Sequence, residues 1–239
     1  MTATVIIPTT GSDDVIRAID RVLNQTYPTT CYLVVDGKEH YGYIMRILAQ
    51  KKQWIDESKL QIANLPINVG ANGFYGHRIY ASFPHLINTD YVLFLDQDNW
   101  LEPDHVENCV KTIEENNLDW CYSLRNIYDG NDFVCRDDCE SLGKYKPLLE
   151  YNHVDTNCYC IKTNIATKVS HIFHGGWGQD RVFYDIISRA FTNFDCSGMY
   201  TVNYSLGGNE GSVKKEFFQK CNELVNRNYN GVYPWQKRI

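Results

Sequence analysis

Short apolar segments alternate with amphipathic helical segments along the first half of this chain. Three apolar runs predict buried strands at Val5–Ile7, Cys31–Val35 and Tyr91–Leu95. Between the first two, the apolar residues of Val15–Leu23 recur at helical spacing and predict a helix that is buried on one face. Strands that alternate with helices favour parallel strands joined by right-handed crossovers. We therefore predict an α/β fold.

Further elements follow from the same patterns. Ser12 or Asp13 is placed to cap the first helix, and a strand is expected near Gln61–Leu65. We predict helices around Tyr41–Trp54, over Gly73–Ile87 and just after Pro103, where proline suits a first helical turn.

The second half of the chain is less regular. It predicts strands near Trp120–Leu124, Asn157–Ile161 and Tyr200–Tyr204, and helices near Asp180–Ala190 and Val213–Asn226. No repeat or linker interrupts the chain, so we expect a single domain over residues 1–239. Its sheet should be mixed and mostly parallel, flanked by helices, with a smaller antiparallel portion.

Charge and hydropathy exclude several classes of protein. The 239 residues have a net charge of −6, which argues against nucleic-acid binding through a broad basic surface. No apolar run approaches the roughly 18–20 residues of a transmembrane helix, and the start lacks the features of a signal peptide. We therefore expect a cytoplasmic protein that has no membrane span.

The chain contains nine cysteines. None forms a Cys-x-x-Cys pair, so Cys135/Cys139 and Cys158/Cys160 are weak candidates for a zinc site. Because no signal sequence is apparent, we expect reduced thiols that serve as small core residues, with Cys158 and Cys160 on one strand face.

Two carboxylates follow the most apolar predicted strand. Asp96 and Asp98 are separated by one residue, and they repel each other unless a positive charge lies nearby. A divalent cation would neutralise them and bridge them to the phosphates of a nucleotide. Alternatively, one of them caps the helix that begins near Pro103.

Polar groups also follow the other predicted strands. Thr9 and Thr10 come after the first strand and Asp36 after the second, and the carboxyl ends of parallel strands are where α/β proteins bind ligands. The Asp36 carboxylate could accept a hydrogen bond from a nucleobase N–H or a ribose hydroxyl. A glycine-rich loop, Asn68–Gly73, leads into the segment that contains Arg78. The glycine motifs of dinucleotide-binding and P-loop proteins are missing.

Taken in order, these pieces resemble the family 2 glycosyltransferases of the GT-A fold. The resemblance covers about the first 110 residues. Its parts are Val5-Ile6-Ile7-Pro8-Thr9, Asn24-Gln25-Thr26-Tyr27-Pro28, Val34-Val35-Asp36-Gly37, Asn68-x-Gly70, Arg78 and Leu95-Asp96-Gln97-Asp98-Asn99. Lys38 and Ile79 depart from the family pattern, which usually has serine and asparagine at these places.

The resemblance implies a nucleotide-sugar-binding half at about residues 1–110 and an acceptor-binding half at about 111–239. A Mn²⁺ or Mg²⁺ ion would be held by Asp98 with Asp96 nearby, and His153 and His174 are the candidates for a further protein ligand. The donor would be contacted by Pro8, Thr9, Thr10, Asp36, Asn68, Arg78, Asp96 and Gln97.

The segment Gly175–Arg181 looks like the acidic motif of the family. Gln179 replaces its first acid and Asp180 is retained, so Asp180 would be the general base of an inverting transfer. The alternative for Asp180 is a helix N-cap or first-turn acid. Trp177 and Gly178 would bind the acceptor, and Asp155 would do so unless it belongs to an ordinary turn before a strand.

The resemblance therefore implies transfer of a sugar from a nucleotide diphosphate sugar to a glycan or another hydroxyl acceptor. UDP is the favoured nucleotide, with GDP and dTDP as alternatives. Two other functions stay open: a retaining transferase on the same fold, in which Asp180 is not a base, and a sugar- or nucleotide-binding module without activity.

Overall fold

The computed structural model describes residues 1–50, 59–146, 152–207 and 213–236. Its strands are β1 Ala3–Thr9, β2 Thr29–Val35, β3 Leu60–Asn64, β4 Tyr91–Phe94, β5 Trp100–Leu101, β6 Trp120–Asp129, β7 Asp132–Arg136, β8 Tyr159–Lys162 and β9 Phe194–Ser205. Its α-helices are α1 Val15–Leu23, α2 Lys38–Ala49, α3 His77–Ser82, α4 His105–Glu115, α5 Thr163–Val169, α6 Gln179–Ala190 and α7 Lys215–Tyr229. Within these ranges, no helix is both long and apolar enough to cross a membrane.

The described strands form one mixed sheet in the order β3-β2-β1-β4-β8-β6-β9-β5, and β7 pairs with β6. Strands β3, β2, β1 and β4 are parallel to one another. Strand β8 is antiparallel to both β4 and β6, and β6 is parallel to β9. Six of the nine strands (β1–β4, β6 and β9) thus run in one direction, which confirms the predicted mostly parallel α/β fold.

The reversed direction of β8 determines what lies at the edge of the sheet where β1, β2 and β4 end. The strands β1, β2 and β4 end at this edge, as the crossover pattern predicts. Because β8 runs the opposite way, it begins there instead. The residues just before β8, including the 3₁₀-helix Thr156–Cys158, therefore lie beside the carboxyl ends of the parallel strands.

Aliphatic and aromatic layers cover the two faces of the sheet. All seven residues of β1 are buried, and α1 buries the apolar face that its spacing predicts. In the second half, Trp120 stacks on Phe194 with ring centres 4.1 Å apart, and Phe173 stacks on Phe183 at 3.8 Å. Large rings at these positions bury much apolar area for each ordered residue.

Several predicted helix bounds are wrong. The helix expected over Gly73–Ile87 is restricted to α3 and a following 3₁₀-helix, Phe83–Leu86. A turn precedes it, because the N–H groups of Phe74 and Tyr75 both donate to the Gly70 carbonyl. The helix α2 ends at Ala49, and Trp54 lies outside the described residues.

The expected cap of α1 is also wrong. Its N-cap residue is Asp14, whose N–H donates to the Ser12 hydroxyl, and no side chain caps the helix. The sequence patterns also miss α5, the two-residue strand β5 and the hairpin of β6 with β7. The hairpin turns at Gly130, which has a φ of 62°.

All nine cysteines are free thiols, and seven of them are buried. Cys160 lies in β8, whereas Cys158 belongs to the 3₁₀-helix before it. The expectation that both share one strand face is therefore wrong, although both are buried.

One arginine joins three segments of the second half. Arg125 of β6 is only 2% exposed. Its Nε donates to Asp137 at 2.7 Å, and its two terminal nitrogens donate to Asp155 and Glu140. Asp137 and Glu140 follow β7, and Asp155 precedes β8. We call these four residues the Arg125 cluster.

Replacing Arg125 with methionine should strongly destabilise the protein. The Arg125→Met variant leaves buried carboxylates without their counter-charge, which typically costs about 3–5 kcal/mol. The free energy of unfolding from urea denaturation measures this loss. Arg189→Met is the control, because Arg189 pairs with Asp185 on an exposed helix face and should cost less than about 1 kcal/mol. A loss of similar size in both variants would contradict the structural role of Arg125.

Candidate active site

A cavity of about 520 Å³ opens at the carboxyl edge of the sheet. This volume is in the range of sites that bind small molecules. It is lined by thirteen of the residues that the sequence singled out: Pro8, Thr9, Thr10, Asp36, Asn68, Asp96, Gln97, Asp98, His153, Asp155, Trp177, Gly178 and Asp180. The cavity thus brings together side chains from both halves of the chain, and we call it the cleft.

The ends of β1 and β4 are joined by a side chain. The Gln97 carbonyl oxygen accepts hydrogen bonds from the Thr9 hydroxyl at 2.7 Å and from the Thr10 N–H at 3.1 Å. This contact holds the two strand ends together at the floor of the cleft.

Asp36 holds the loop that follows β3. Its two carboxylate oxygens accept from the N–H groups of Val69 and Gly70 at 2.7 and 2.8 Å. Any larger residue at position 70 would clash, since an added Cβ would lie 2.1 Å from the Tyr75 carbonyl oxygen. The buried carboxylate and the glycine together fix this wall of the cleft.

Two of the predicted site residues do not line the cleft. Arg78 stacks on Phe74, 3.4 Å from the ring centre, and donates to the Val69 carbonyl at 3.2 Å. It therefore supports the loop from outside the cleft. His174 also packs against Phe74, with ring centres 5.9 Å apart.

Asp96 is held by three hydrogen bonds. Its carboxylate accepts from the Tyr80 hydroxyl at 2.7 Å and from the Asn157 amide at 2.9 Å. The Asp96 N–H in turn donates to the side-chain amide oxygen of Asn157 at 2.6 Å. Burial and the nearby Asp155 raise the pKa of Asp96.

Asp98 differs because no other side chain in the described ranges pairs with its carboxylate. Burial, and then the charge of Asp96, raise the pKa of Asp98 to about 7. Its backbone is held where Arg17 donates to the Asp98 carbonyl at 3.4 Å. Neither acid caps α4, whose N-cap residue is Asp104, so the capping alternative is wrong.

Asp180 lies in the first turn of α6 and faces the cleft. The N-cap residue is Gly178, whose φ of 81° suits glycine, so the N-cap alternative for Asp180 is wrong. One Asp180 oxygen accepts from the Arg181 N–H at 2.9 Å, and the other lies 3.8 Å from Nε2 of His153. Burial raises the pKa of Asp180. Gln179 instead donates to the Ile172 carbonyl and closes the preceding turn.

Trp177 and Asp155, predicted to bind the acceptor, also line the cleft. The Trp177 indole is 72% exposed, and the Arg181 guanidinium lies 5.5 Å from its ring centre. Asp155 is more than an ordinary turn residue. One of its oxygens accepts from the Asn157 amide at 2.7 Å, and the other accepts from Arg125.

Sequence reasoning did not assign four residues that build the site. Arg125 and Glu140 line the cleft, while Tyr80 and Asn157 hold Asp96. A charge inside an apolar strand is a usable signal for Arg125, because such a residue needs buried partners. Tyr80 and Asn157 had no such signal, since their partner is distant in sequence.

Six carboxylates line the cleft, and four of them are engaged. Asp36 is bound by backbone amides, Asp96 by Tyr80 and Asn157, and both Asp155 and Glu140 by Arg125. The two that are least engaged are Asp98 and Asp180.

Asp96 and Asp98 are close enough for their charges to interact, and no Lys or Arg side chain among the described residues pairs with either of them. Such a pair of acids fits a divalent cation. No group of three His, Cys, Asp or Glu side chains in the described part of the chain could hold a metal ion. A cation at Asp98 would therefore take most of its ligands from phosphate and water, as Mg²⁺ commonly does.

Comparisons with known proteins bear on the fold and the family of this chain. Two crystal structures of residues 1–349 of Staphylococcus aureus TarS share the fold. The complex with UDP-GlcNAc has a TM-score of 0.65 at 16% identity and covers 97% of this chain and 67% of that one. The complex with UDP has a TM-score of 0.64 at 14% identity and covers 96% and 72%.

Sequence comparison gives two further matches. An uncharacterized protein of Haemophilus influenzae is 30% identical over 102 residues, which span 36% of this chain and 69% of that protein. The model of the family "Glycosyl transferase family 2" matches residues 4–173, well over half of the chain. The chain therefore belongs to glycosyl transferase family 2.

Proposed function

We propose that this protein transfers a sugar from a nucleoside diphosphate sugar to a hydroxyl acceptor. The observation that carries the proposal is that only two of the six cleft carboxylates are largely free of hydrogen bonds within the described part of the chain. Four are held by hydrogen bonds within the fold. In this proposal the other two serve the reaction, Asp98 on the donor side and Asp180 on the acceptor side. The TarS complexes contain UDP and UDP-GlcNAc, so a UDP-sugar is the favoured donor, with GDP- and dTDP-sugars as alternatives.

In this proposal the loop held by Asp36 and the ends of β1 and β4 receive the nucleotide. The polar groups of Thr10 and Asn68 line this part of the cleft. The side-chain amide oxygen of Asn68 is buried and has no hydrogen-bond partner in the part of the chain that the structure describes. An unpartnered buried oxygen favours a ligand that supplies an N–H or O–H group.

Asp98, with Asp96 nearby, would hold Mn²⁺ or Mg²⁺. When bound, such an ion neutralises the charge that develops on the departing diphosphate. The support is electrostatic, because the two acids are close together, partly buried and, among the described residues, not paired with a Lys or Arg side chain. The contacts of Asp96 with Tyr80 and Asn157 make Asp98 the more available ligand.

Asp180 would act as the general base. In a one-step displacement the acceptor oxygen attacks the anomeric carbon, the bond to the diphosphate breaks, and the acceptor proton passes to Asp180. A carboxylate whose pKa is raised by burial is a stronger base than an exposed one. Trp177 offers an exposed ring on which an acceptor sugar can stack.

Replacing the base should remove transfer without removing donor binding. Asp180→Asn keeps the shape of the side chain but cannot take a proton, so transfer should fall by about 10²–10⁴-fold. Product formation with UDP-sugars measures the rate, and calorimetry measures UDP affinity. Asp185→Asn on the exposed face of α6 is the control. Wild-type turnover of Asp180→Asn would remove Asp180 from the mechanism.

The same assay distinguishes the other candidate functions. Inversion predicts a product whose anomeric configuration is opposite to that of the donor, which NMR reads directly. Retention of configuration would identify a retaining transferase. If neither transfer nor donor hydrolysis occurs with any nucleotide sugar, the chain is a binding module.

Asp98 should make stability depend on pH. In metal-free buffer the folded state holds a proton on Asp98 up to about pH 7, whereas the unfolded chain releases it near 3.8. The stability contributed by this proton is therefore complete below about pH 4 and is lost as the pH rises to about 7. Asp98→Asn should then be more stable than wild type by about 1–4 kcal/mol near pH 8, and similar to it near pH 4. Urea denaturation in EDTA at both pH values measures the difference, and an equal effect at both would contradict it.

Metal removal should abolish activity and cation-dependent stabilisation together. Mn²⁺ with UDP should raise the melting temperature of the wild type, since a ligand at 100 times its Kd stabilises by about 2.7 kcal/mol. Asp98→Asn should not respond to Mn²⁺. Full transfer by a metal-free preparation in excess EDTA would contradict the metal site.

A further inference from the structure

A buried histidine lies behind the proposed base. His153 is 2% exposed and lines the cleft between α6 and the Arg125 cluster. Its Nε2 lies 3.8 Å from an Asp180 oxygen and 4.0 Å from an oxygen of Glu140. The other ring nitrogen, Nδ1, is buried and has no hydrogen-bond partner among the described residues.

These surroundings select one tautomer of the ring. Carboxylates only accept hydrogen bonds, so the nitrogen that faces two of them is best occupied by an N–H. Both tautomers leave Nδ1 unpartnered among the described residues, so the two carboxylates near Nε2 decide between them. They favour the tautomer with its N–H on Nε2, which faces Asp180 at 3.8 Å and Glu140 at 4.0 Å.

The two carboxylates beside His153 differ in their freedom. Glu140 is held by the Arg125 guanidinium, which also holds Asp137 and Asp155. In the described part of the chain, the carboxylate of Asp180 accepts a hydrogen bond only from the Arg181 N–H, at 2.9 Å, and that contact fixes one of its oxygens. The oxygen that faces His153 is the one that can still take a proton.

We propose that His153 is a positioning residue for Asp180, which directs the free carboxylate oxygen toward the acceptor through its Nε2–H. The inference rests on the proposed role of Asp180 as base. Glu140 of the Arg125 cluster faces the same ring nitrogen at 4.0 Å, so the base lies beside a part of the fold that the buried Arg125 holds in place. His153 itself contacts no reacting atom.

The charged groups around His153 determine how its loss would act. Asp180, Asp155 and Glu140 are the acids near it, and Arg125 and Lys146 are the cations. The Nε2–H favours the ionised form of Asp180. Without it, Asp180 holds its proton to higher pH, and less of the enzyme carries a competent base at neutral pH.

Two substitutions test the role in catalysis. His153→Phe removes the N–H while keeping a ring, and kcat should fall by about 10–100-fold, with donor KM within about threefold of wild type. The acidic limb of the kcat profile should move to higher pH. His153→Gln restores an N–H and should recover most of kcat and the original limb. The control is His171→Phe, at an exposed position outside the cleft.

A second measurement does not depend on turnover or on the folding of a His153 variant. NMR titration of the His153 ring in wild type and in Asp180→Asn should show a lower midpoint in the variant, because a neighbouring negative charge is lost. Asp185→Asn should leave the midpoint unchanged. If Asp180→Asn does not move it, the proposed contact is absent. If the midpoint moves but Asp180→Asn still transfers sugar at the wild-type rate, the contact holds and the proposed base fails.

A purely structural role for His153 predicts a different pattern. In that case His153→Phe and His153→Gln would lower the melting temperature alike, and neither would move the acidic limb of the pH profile. That outcome would overturn the proposal.

Discussion

The second half of the molecule depends on one buried guanidinium. Arg125 binds three carboxylates that come from the segment after β7 and the segment before β8. Burying this charge is costly unless all its partners are present, so these segments are held to one arrangement. Because Asp155 and Glu140 also line the cleft, the contacts that stabilise the fold also shape the site.

Asn157 extends this constraint to the residues that follow β4. Its amide donates to both Asp155 and Asp96, and its carbonyl oxygen accepts from the Asp96 N–H. The strand reversal at β8 makes this contact possible, since it places a segment of the second half beside the end of β4. A continuous set of hydrogen bonds therefore runs from the Arg125 cluster to the loop that contains Asp96 and Asp98.

Local patterns predicted much of the fold and of the cleft lining. The apolar runs of β1, β2 and β4 are buried or nearly buried strands whose ends direct Thr9, Asp36 and Asp96 to one edge, and periodicity alone implies this. The partners of these residues could not be predicted in the same way. Tyr80, Asn157 and Arg125 act through contacts between distant segments, which leave no local period or spacing. The length of helix α3 was overestimated for a related reason. The turn before it depends on the close approach of Gly70 to the Tyr75 carbonyl oxygen, which is a matter of tertiary packing.

The contact between Asp36 and the loop after β3 allows the shape of the cleft wall to be distinguished from the side-chain chemistry that the wall presents. The carboxylate binds backbone N–H groups, so these two contacts do not themselves require particular side chains at positions 68 and 69. Gly70 is required by its close approach to the Tyr75 carbonyl oxygen. Evolution can therefore change the chemistry that position 68 presents while the wall keeps its shape, which lets relatives on one scaffold diverge in the ligands they select.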